Sequence, residues 1–159
     1  MKKLTVVLAL LLVLTTTSVF ALGIGAQAGY VVGGNPGGAL TFKLDDAPWL
    51  FALDANSFVP LSIGLTADMW LANKNLAGPF NYYYGWGLAG FVGVGGEYLG
   101  LFAGARALVG VNVFVLDKFL EFYLQAAWQP GIDLRLGNNF AVEPVFVRFP
   151  VNLGFRFWF

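Results

Sequence analysis

The final eleven residues of the chain follow a strict two-residue hydrophobic period. Every odd position is apolar, namely Phe149, Val151, Leu153, Phe155, Phe157 and Phe159. Proline, asparagine, glycine, arginine and tryptophan occupy the even positions. A period of two is that of a β-strand with two different faces. Soluble proteins protect an apolar strand at a sheet edge with charged residues, proline or a covering segment. The apolar face of this strand has no such protection, so the pattern predicts a strand whose outer face contacts lipid.

The same alternation recurs along the chain and predicts eight strands. They cover residues 22–33, 39–54, 61–71, 81–94, 97–115, 120–136, 140–147 and 149–159. The phase of the second strand breaks near Asp45–Pro48, which indicates a bulge or a loop between two short strands. Pro130 indicates an end or bulge in the sixth strand. Alternating segments of about ten residues are typical of barrels that span membranes. We therefore predict an all-β fold, an eight-stranded antiparallel up-and-down transmembrane β-barrel.

A helical membrane protein is the alternative to a barrel. Residues 98–116 are almost entirely apolar and contain Gly100-Leu-Phe-Ala-Gly104, a pattern that packs membrane helices together. In a helical protein, however, Asp68, Arg106 and Glu121 would lie inside the spans. No loop carries the cluster of Lys and Arg that orients helical membrane proteins. The barrel is therefore the better interpretation.

The N-terminal segment has the three parts of a secretory signal peptide. Lys2 and Lys3 precede an apolar core from Leu4 to Leu14, and Val19-Phe-Ala21 is a small-residue cleavage site. Cleavage there divides the chain into a signal peptide, residues 1–21, and one barrel domain, residues 22–159. An uncleaved anchor is the alternative because apolar residues continue to Ala28. The core is, however, shorter than the ~20 residues that a spanning helix needs.

Composition narrows the function classes. The chain is 58% hydrophobic and 11% charged, which is too apolar for an ordinary soluble domain. It has nine basic and nine acidic side chains, and Lys2 and Lys3 leave with the signal peptide, so the mature part carries a net charge of −2. Without a basic tract, nucleic acid is not an expected partner. The absence of cysteine excludes disulfides, thiolate metal sites and a lipid-modified cysteine.

Alternate positions of the predicted strands carry charged residues that a barrel would point into its lumen. These residues are Lys43, Asp68, Glu97, Arg106, Glu121, Asp133, Arg135, Glu143 and Arg156. Side chains largely fill a lumen of eight strands, and buried charges must pair. The pattern therefore predicts a plug of salt bridges, with a narrow polar pore or a small ligand pocket as the alternative. Large side chains are expected to fill the same space, namely Trp70, Tyr83, Tyr98 and Phe102.

The sequence offers little chemistry for catalysis, and we expect no enzyme activity, cofactor or metal. There is no histidine, which removes Ser-His acyl transfer and histidine metal sites. Glu121 and Asp133 could form a carboxylate dyad, but pairing with lumen arginines is the simpler interpretation. The glycines of residues 90–96 lack the Lys-Ser/Thr of a phosphate loop.

Aromatic residues and turns suggest an orientation. Tyr82-Tyr-Tyr-Gly-Trp86 and Phe157-Trp-Phe159 are interpreted as aromatic girdles on opposite sides of the membrane. A carbohydrate-binding patch is the alternative for the tyrosines. With both termini in the periplasm, the predicted outer connections are residues 33–38, 72–80, 116–118 and 148–150, all of them short.

The C-terminal strand also carries a specific motif. Asn152, Gly154, Phe157 and Phe159 stand in the order polar, x, Gly, two residues, aromatic, x, aromatic. This order resembles the C-terminal β-signal of outer-membrane proteins, and the resemblance implies recognition by the barrel-assembly machinery. Over residues 22–159 the chain resembles the small eight-stranded barrels of the OmpA transmembrane domain, OmpX and OmpW. It is also similar to a small barrel family of spirochaete surfaces at Asp45-Asp46, Asp68-Met-Trp70, Tyr82-Tyr-Tyr-Gly-Trp86 and Phe149-Pro-Val-Asn-Leu-Gly154.

The sequence thus predicts a monomeric protein of the bacterial outer membrane, surrounded by its lipids. Three functions are consistent with it. The first is a non-enzymatic structural barrel with a plugged or narrow lumen. The second is a porin-like narrow pore or a transporter of small or hydrophobic molecules. The third is a surface adhesin or host-protein binder, for which residues 72–80 are the candidate epitope. No physiological ligand follows from the residues.

Overall fold

The described part of the chain is almost entirely β-strand. The computed structural model describes residues 22–45, 47–58, 61–95, 98–137 and 140–159, with only the backbone described at residues 56–58 and 98. The predicted signal peptide and Glu97 lie outside the described residues. The strand segments are β1 (Leu22–Val31), β2 (Pro36–Leu44), β3 (Trp49–Phe58), β4 (Leu61–Ala77), β5 (Phe80–Gly95), β6 (Tyr98–Val115), β7 (Leu120–Trp128), β8 (Gly131–Gly137), β9 (Ala141–Val145) and β10 (Pro150–Trp158).

These segments form one closed antiparallel barrel. Neighbouring strands pair in the order β5, β4, β3, β2, β1, β10, β7, β6, and β5 also pairs with β6, which closes the ring. β7 and β8 pair with successive parts of β6 in one register, so they form a single strand that is interrupted at residues 129–130. β9 pairs with β8 and β10 with β7. β9 and β10 therefore also share one barrel position, and the predicted eight-stranded antiparallel barrel is confirmed.

The predicted division into strands is wrong at two places. One predicted strand is two strands and two predicted strands are one, so the number of barrel strands is still eight. Residues 39–54 are the β2–β3 hairpin, so the bulge near residues 45–48 is wrong and the loop alternative is correct. Residues 140–147 and 149–159 belong to one barrel position that is broken at residues 146–149. The apolar window proposed as a helix is strand β6. Within the described ranges, no helix is long and apolar enough to cross a membrane.

Both chain ends of the barrel domain lie at the same end of the barrel. The backbone N–H of Leu22 donates to the carbonyl of Phe159 at 3.2 Å, and the N–H of Phe159 donates to the carbonyl of Leu22 at 3.1 Å. We name this the terminus end and the opposite one the far end. Following the strands up and down places residues 45, 47–48, 78–79 and 116–119 at the terminus end. The β1–β2 turn, residues 32–35, lies at the far end.

This topology corrects four of the orientation predictions. Residues 72–80 are not an outer loop, because they are the tip of the long β4–β5 hairpin at the terminus end. Residues 116–118 lie at that end too, and residues 148–150 lie inside a strand position. Tyr82–Trp86 and Phe157–Phe159 lie towards the same end rather than on opposite sides, since β5 begins where β10 finishes. Consistent with this, Trp86 contacts Trp49 at the start of β3, with ring centroids 5.8 Å apart.

The barrel is polar inside and apolar outside, the reverse of a soluble protein. Alternate residues of each strand are buried or exposed, as in β10, where the predicted outward set from Val151 to Phe157 is exposed and Asn152, Gly154 and Arg156 are buried. Exposed apolar side chains form the middle of the outer surface, including Leu40, Leu53, Leu65, Leu88, Val109, Leu124 and Leu153. The exposed charged side chains of the described residues are Asp45, Lys74, Asp117 and Lys118 towards the terminus end and Arg135 and Glu143 towards the far end.

Candidate functional site in the barrel lumen

The lumen contains layers of buried charged and aromatic side chains, and the layer nearest the terminus end is an ion pair. Nη1 of Arg156 lies 3.1 Å from Oε2 of Glu121, and both side chains have no solvent exposure. Glu121 also accepts hydrogen bonds from Nδ2 of Asn112 at 2.6 Å and from Nε1 of Trp158 at 3.1 Å. The guanidinium carbon of Arg156 lies 4.2 Å from the centre of the Tyr123 ring. Glu121 is thus fully paired, whereas Nε and Nη2 of Arg156 have no hydrogen-bond acceptor among the described residues.

A second layer lies in the middle of the barrel around another ion pair. Nε of Arg106 is 2.9 Å from Oδ1 of Asp68, and both side chains are almost fully buried. Arg106 donates from Nη1 to the side-chain oxygen of Gln129 at 2.9 Å, and Gln125 donates to Oδ2 of Asp68 at 3.2 Å. The hydroxyl of Tyr83 extends the network by donating to Gln125 at 3.2 Å. Because the strands turn these side chains towards the lumen, five residues from four barrel strands meet in one network.

Aromatic rings fill the space between the two ion pairs. Trp70 and Tyr83 stack with ring centroids 4.0 Å apart and planes at 13°. The ammonium of Lys43 lies 5.0 Å from the centre of Trp70, and it donates to the carbonyls of Leu44 and Ala47 at 3.2 and 3.3 Å. Lys43 is therefore buried without a carboxylate partner within the described residues, and backbone oxygens and an aromatic face solvate its charge.

Inward glycines make room for these rings. A Cβ on Gly154 would lie 2.5 Å from the ring of Tyr123 and 2.7 Å from the carbonyl of Ala26. Tyr123 itself donates its hydroxyl to the side chain of Gln27 at 3.0 Å. Gly110 lies under Tyr83 in the same way. The glycine of the motif at the C-terminus thus has a steric role in the folded barrel, besides any role as a signal.

The far-end layer is built on an arginine that the sequence prediction placed in a loop. Arg148 lies in the break between β9 and β10, and its guanidinium carbon is 5.0 Å and 4.6 Å from the ring centres of Phe91 and Phe102. A cavity of about 10 Å³ lies beside it, lined by Asp54, Gln129 and Asn152 among others. That volume is near the minimum for one water molecule. The space beside Arg148 is therefore close to that of a single water molecule.

The predicted lumen residues fall into three groups. Lys43, Asp68, Arg106, Glu121 and Arg156 lie inside the barrel and are buried. Arg135 and Glu143 pair with each other at 3.0 Å, but both side chains are about half exposed, so this pair is separate from the buried network. Asp133 is partly buried near the far end.

Sequence reasoning missed three polar residues of the lumen. Thr41 and Asp54 are buried, and Arg148 is half-buried. Asp54 accepts a hydrogen bond from Thr66 at 3.4 Å. The strand phase on either side of residues 45–48 could have identified Thr41 and Asp54 as inward once that segment was read as a turn. Arg148 carried no such signal, because the alternation is interrupted there.

A wider cavity opens at the terminus end. Its volume is about 620 Å³, and aromatic and polar side chains from β4, β5, β6, β10 and two turns line it. Trp158 separates this cavity, which we name the vestibule, from the Glu121–Arg156 pair. Among the described residues, the lumen thus has an open vestibule at the terminus end, with buried ion pairs and stacked rings beyond Trp158.

Comparisons with known proteins identify no family. No protein-family model matches the chain. Among solved structures, the chain is similar to Neisserial surface protein A, with 17% sequence identity, a TM-score of 0.47, and coverage of 88% of this chain and 97% of that one. This similarity is too distant to assign a function.

Proposed function

We propose that this protein is an integral outer-membrane β-barrel with a closed lumen and a non-enzymatic, structural role in the cell envelope. The observation that carries the proposal is the combination of an apolar outer surface with an interior whose two central ion pairs are buried. The proposed mature protein is a monomer whose principal contacts are membrane lipids. Nucleic acid has no part in the proposal.

The outer surface supports the membrane location. Soluble monomers rarely expose contiguous apolar patches beyond a few hundred Å², whereas here apolar side chains face outward around the barrel, many of them 40–60% exposed. The barrel strands β1, β2 and β3 have nine or ten residues each, and a tilted strand of about 9–11 residues crosses a bilayer. Exposed charges lie towards the two ends, where headgroups and water would solvate them.

The interior supports a closed lumen. Side chains that line a water-filled channel are wet, but Arg156 and Glu121 have no solvent exposure and Tyr83 has 1%. The buried charges also balance, because Lys43, Arg106 and Arg156 are accompanied by Asp54, Asp68 and Glu121. Unpaired buried charge is costly, so this balance stabilises a closed arrangement rather than an ion path of one sign.

The C-terminal motif supports a role in biogenesis. Phe157 and Phe159 are exposed on the outer surface by 37% and 71%, where a folding partner could contact them. Asn152 and Gly154 point inward, against Gly29 and Tyr123. We propose that the barrel-assembly machinery reads the two outward phenylalanines, while the two inward residues serve packing.

Electrical recording tests the closed lumen. The purified protein is inserted into planar bilayers, and insertion is checked separately by protease protection in vesicles of the same lipid. We expect no steady single-channel conductance. Stable channels whose conductance changes on replacing Arg106 would contradict the closed lumen and support the narrow pore.

A further inference from the structure

The vestibule has the volume of a small-molecule site and opens at the terminus end. Its volume of about 620 Å³ lies within the roughly 300–1,000 Å³ of small-molecule sites. It is separate from the plug, because the indole of Trp158 forms its floor and donates from the lumen side to Glu121 at 3.1 Å. The closed lumen does not need this space, since the ion pairs and stacked rings lie beyond it.

Aromatic rings form one side of the vestibule. Phe114 contacts Trp158 with ring centroids 6.2 Å apart, and Phe119 meets Phe159 nearly edge-on at 6.1 Å. All four rings line the cavity. Phe119 and Phe159 are 44% and 71% exposed and form the rim of the vestibule, where its mouth meets the outer surface. A ligand that fills it must have an apolar face of its own.

The other side is polar and carries little net charge. Asn73 and Asn81 line it from the β4–β5 hairpin, and an amide offers both donors and acceptors. Asp45, Asp117 and Lys118 add two negative charges and one positive charge. Such a surface suits a neutral ligand with many hydroxyl or amide groups better than an ion of either sign.

The turn that supplies Asp117 and Lys118 is strained. Leu116, Asp117 and Lys118 have φ values of 54°, 52° and 72°, a left-handed conformation that costs free energy for residues other than glycine. Strain of this kind persists where the surrounding structure holds it, and it concentrates at functional sites. Here it brings two charged side chains to the rim of the vestibule.

We propose that the vestibule binds a short neutral oligosaccharide. A pyranose ring combines a face of C–H groups, which packs on aromatic rings, with an edge of hydroxyls, which pairs with amides and carboxylates. N-acetylated sugars fit the lining well, because the acetamide methyl suits the phenylalanines and its amide suits Asn73 and Asn81. The proposal rests on the proposed function in one respect, since outer-membrane insertion opens the vestibule to the periplasm.

The indole of Trp158 provides a local reporter for the test. The protein is purified from membranes of cells that express the full chain and is placed in nanodiscs of phosphatidylglycerol, a lipid without a sugar ring or an ammonium group. Tryptophan is labelled with ¹⁵N, and the Trp158 resonance is assigned with Trp158→Phe. The N-acetylglucosamine trimer is then titrated, with spermidine as the competing ligand class.

We expect a saturable shift of the Trp158 indole resonance with the trimer and none with spermidine. Asn73→Leu and Phe119→Ala should each weaken binding at least about 3-fold, as loss of one hydrogen bond or one ring contact would. Lys74→Ala is the matched control, because Lys74 neighbours Asn73, is exposed and does not line the vestibule. The affinity of the Lys74→Ala variant for the trimer should be unchanged.

Two results would overturn the proposal. One is a Trp158 resonance that does not respond to the trimer, and the other is a response to spermidine alone, which would assign the vestibule to organic cations. Heat-dependent gel mobility of the same samples separates these results from failure of the barrel itself. A sample that keeps its folded mobility but binds no trimer refutes only the saccharide site.

Discussion

Removing the carboxylate of Glu121 should destabilise the barrel strongly. In Glu121→Ala the guanidinium of Arg156 stays in a site with no solvent exposure and loses its counter-ion. Asn112 and Trp158 lose their acceptor at the same time. Breaking a buried pair by removing one partner costs about 3–5 kcal/mol. The equilibrium constant for unfolding should therefore rise roughly 10²- to nearly 10⁴-fold, at about 1.4 kcal/mol per decade.

The protein contains its own control for this prediction. Arg135 and Glu143 form an ion pair at 3.0 Å, almost the same length as the 3.1 Å of the Glu121–Arg156 pair, but both side chains are 52% exposed. Exposed pairs contribute about 0–1 kcal/mol. Glu143→Ala should therefore change the free energy of unfolding little, and the difference between the two variants isolates the effect of burial.

Urea unfolding in lipid vesicles, followed by tryptophan fluorescence, measures both variants and a double variant. Glu121→Leu combined with Arg156→Met removes both charges and should be more stable than Glu121→Ala, because no uncompensated charge stays buried. If Glu121→Ala and Glu143→Ala lower the free energy of unfolding by similar small amounts, Glu121 is solvated in the folded protein. The proposal of a closed lumen would then be wrong.

Two further predictions concern packing and the outer surface. Gly154→Ala should lower the free energy of unfolding by about 1–3 kcal/mol, because the added Cβ overpacks against Tyr123. Gly90→Ala is the control and should change that free energy little, because its Cβ would have its nearest neighbour at 3.9 Å. If urea unfolding gave equal losses of stability for both variants, Tyr123 would be able to move away from residue 154. Leu124→Arg, at an outward position near mid-barrel, should cost about 2–4 kcal/mol in vesicles, and Leu116→Arg at the terminus-end turn about 0–1. Equal costs at both positions would place the middle of the barrel outside the hydrocarbon.

The sequence predicted the architecture because one rule governs nearly every strand. Inward and outward residues alternate, and that period is present in β4, β5, β6 and β10, where the residues of the outer face are exposed or half-exposed. The rule fails where the chain departs from ideal pleating. Residues 146–149 interrupt the last barrel strand, so a pattern of period two cannot show that β9 and β10 share one position.

The orientation of loops was harder to predict for a topological reason. Residues 39–54 were predicted as one strand but form two, so every later strand runs in the direction opposite to the predicted one. The predicted direction is restored only in the last strand, because residues 140–147 and 149–159 share one barrel position. The inward position of the charged side chains follows from the strand alternation alone, which is why Asp68, Arg106, Glu121 and Arg156 could be proposed as lumen residues. Which carboxylate pairs with which arginine depends on strand register, and composition carries no information about that.

Gel mobility of the outer-membrane fraction, with and without boiling, tests the central claim most directly. A folded barrel resists detergent and migrates differently until it is heated. We predict a heat-dependent shift for the protein in this fraction, and loss of that shift in Glu121→Ala at lower temperature than in Glu143→Ala. A protein that migrates identically before and after boiling, or that is found in another fraction, would contradict the outer-membrane barrel.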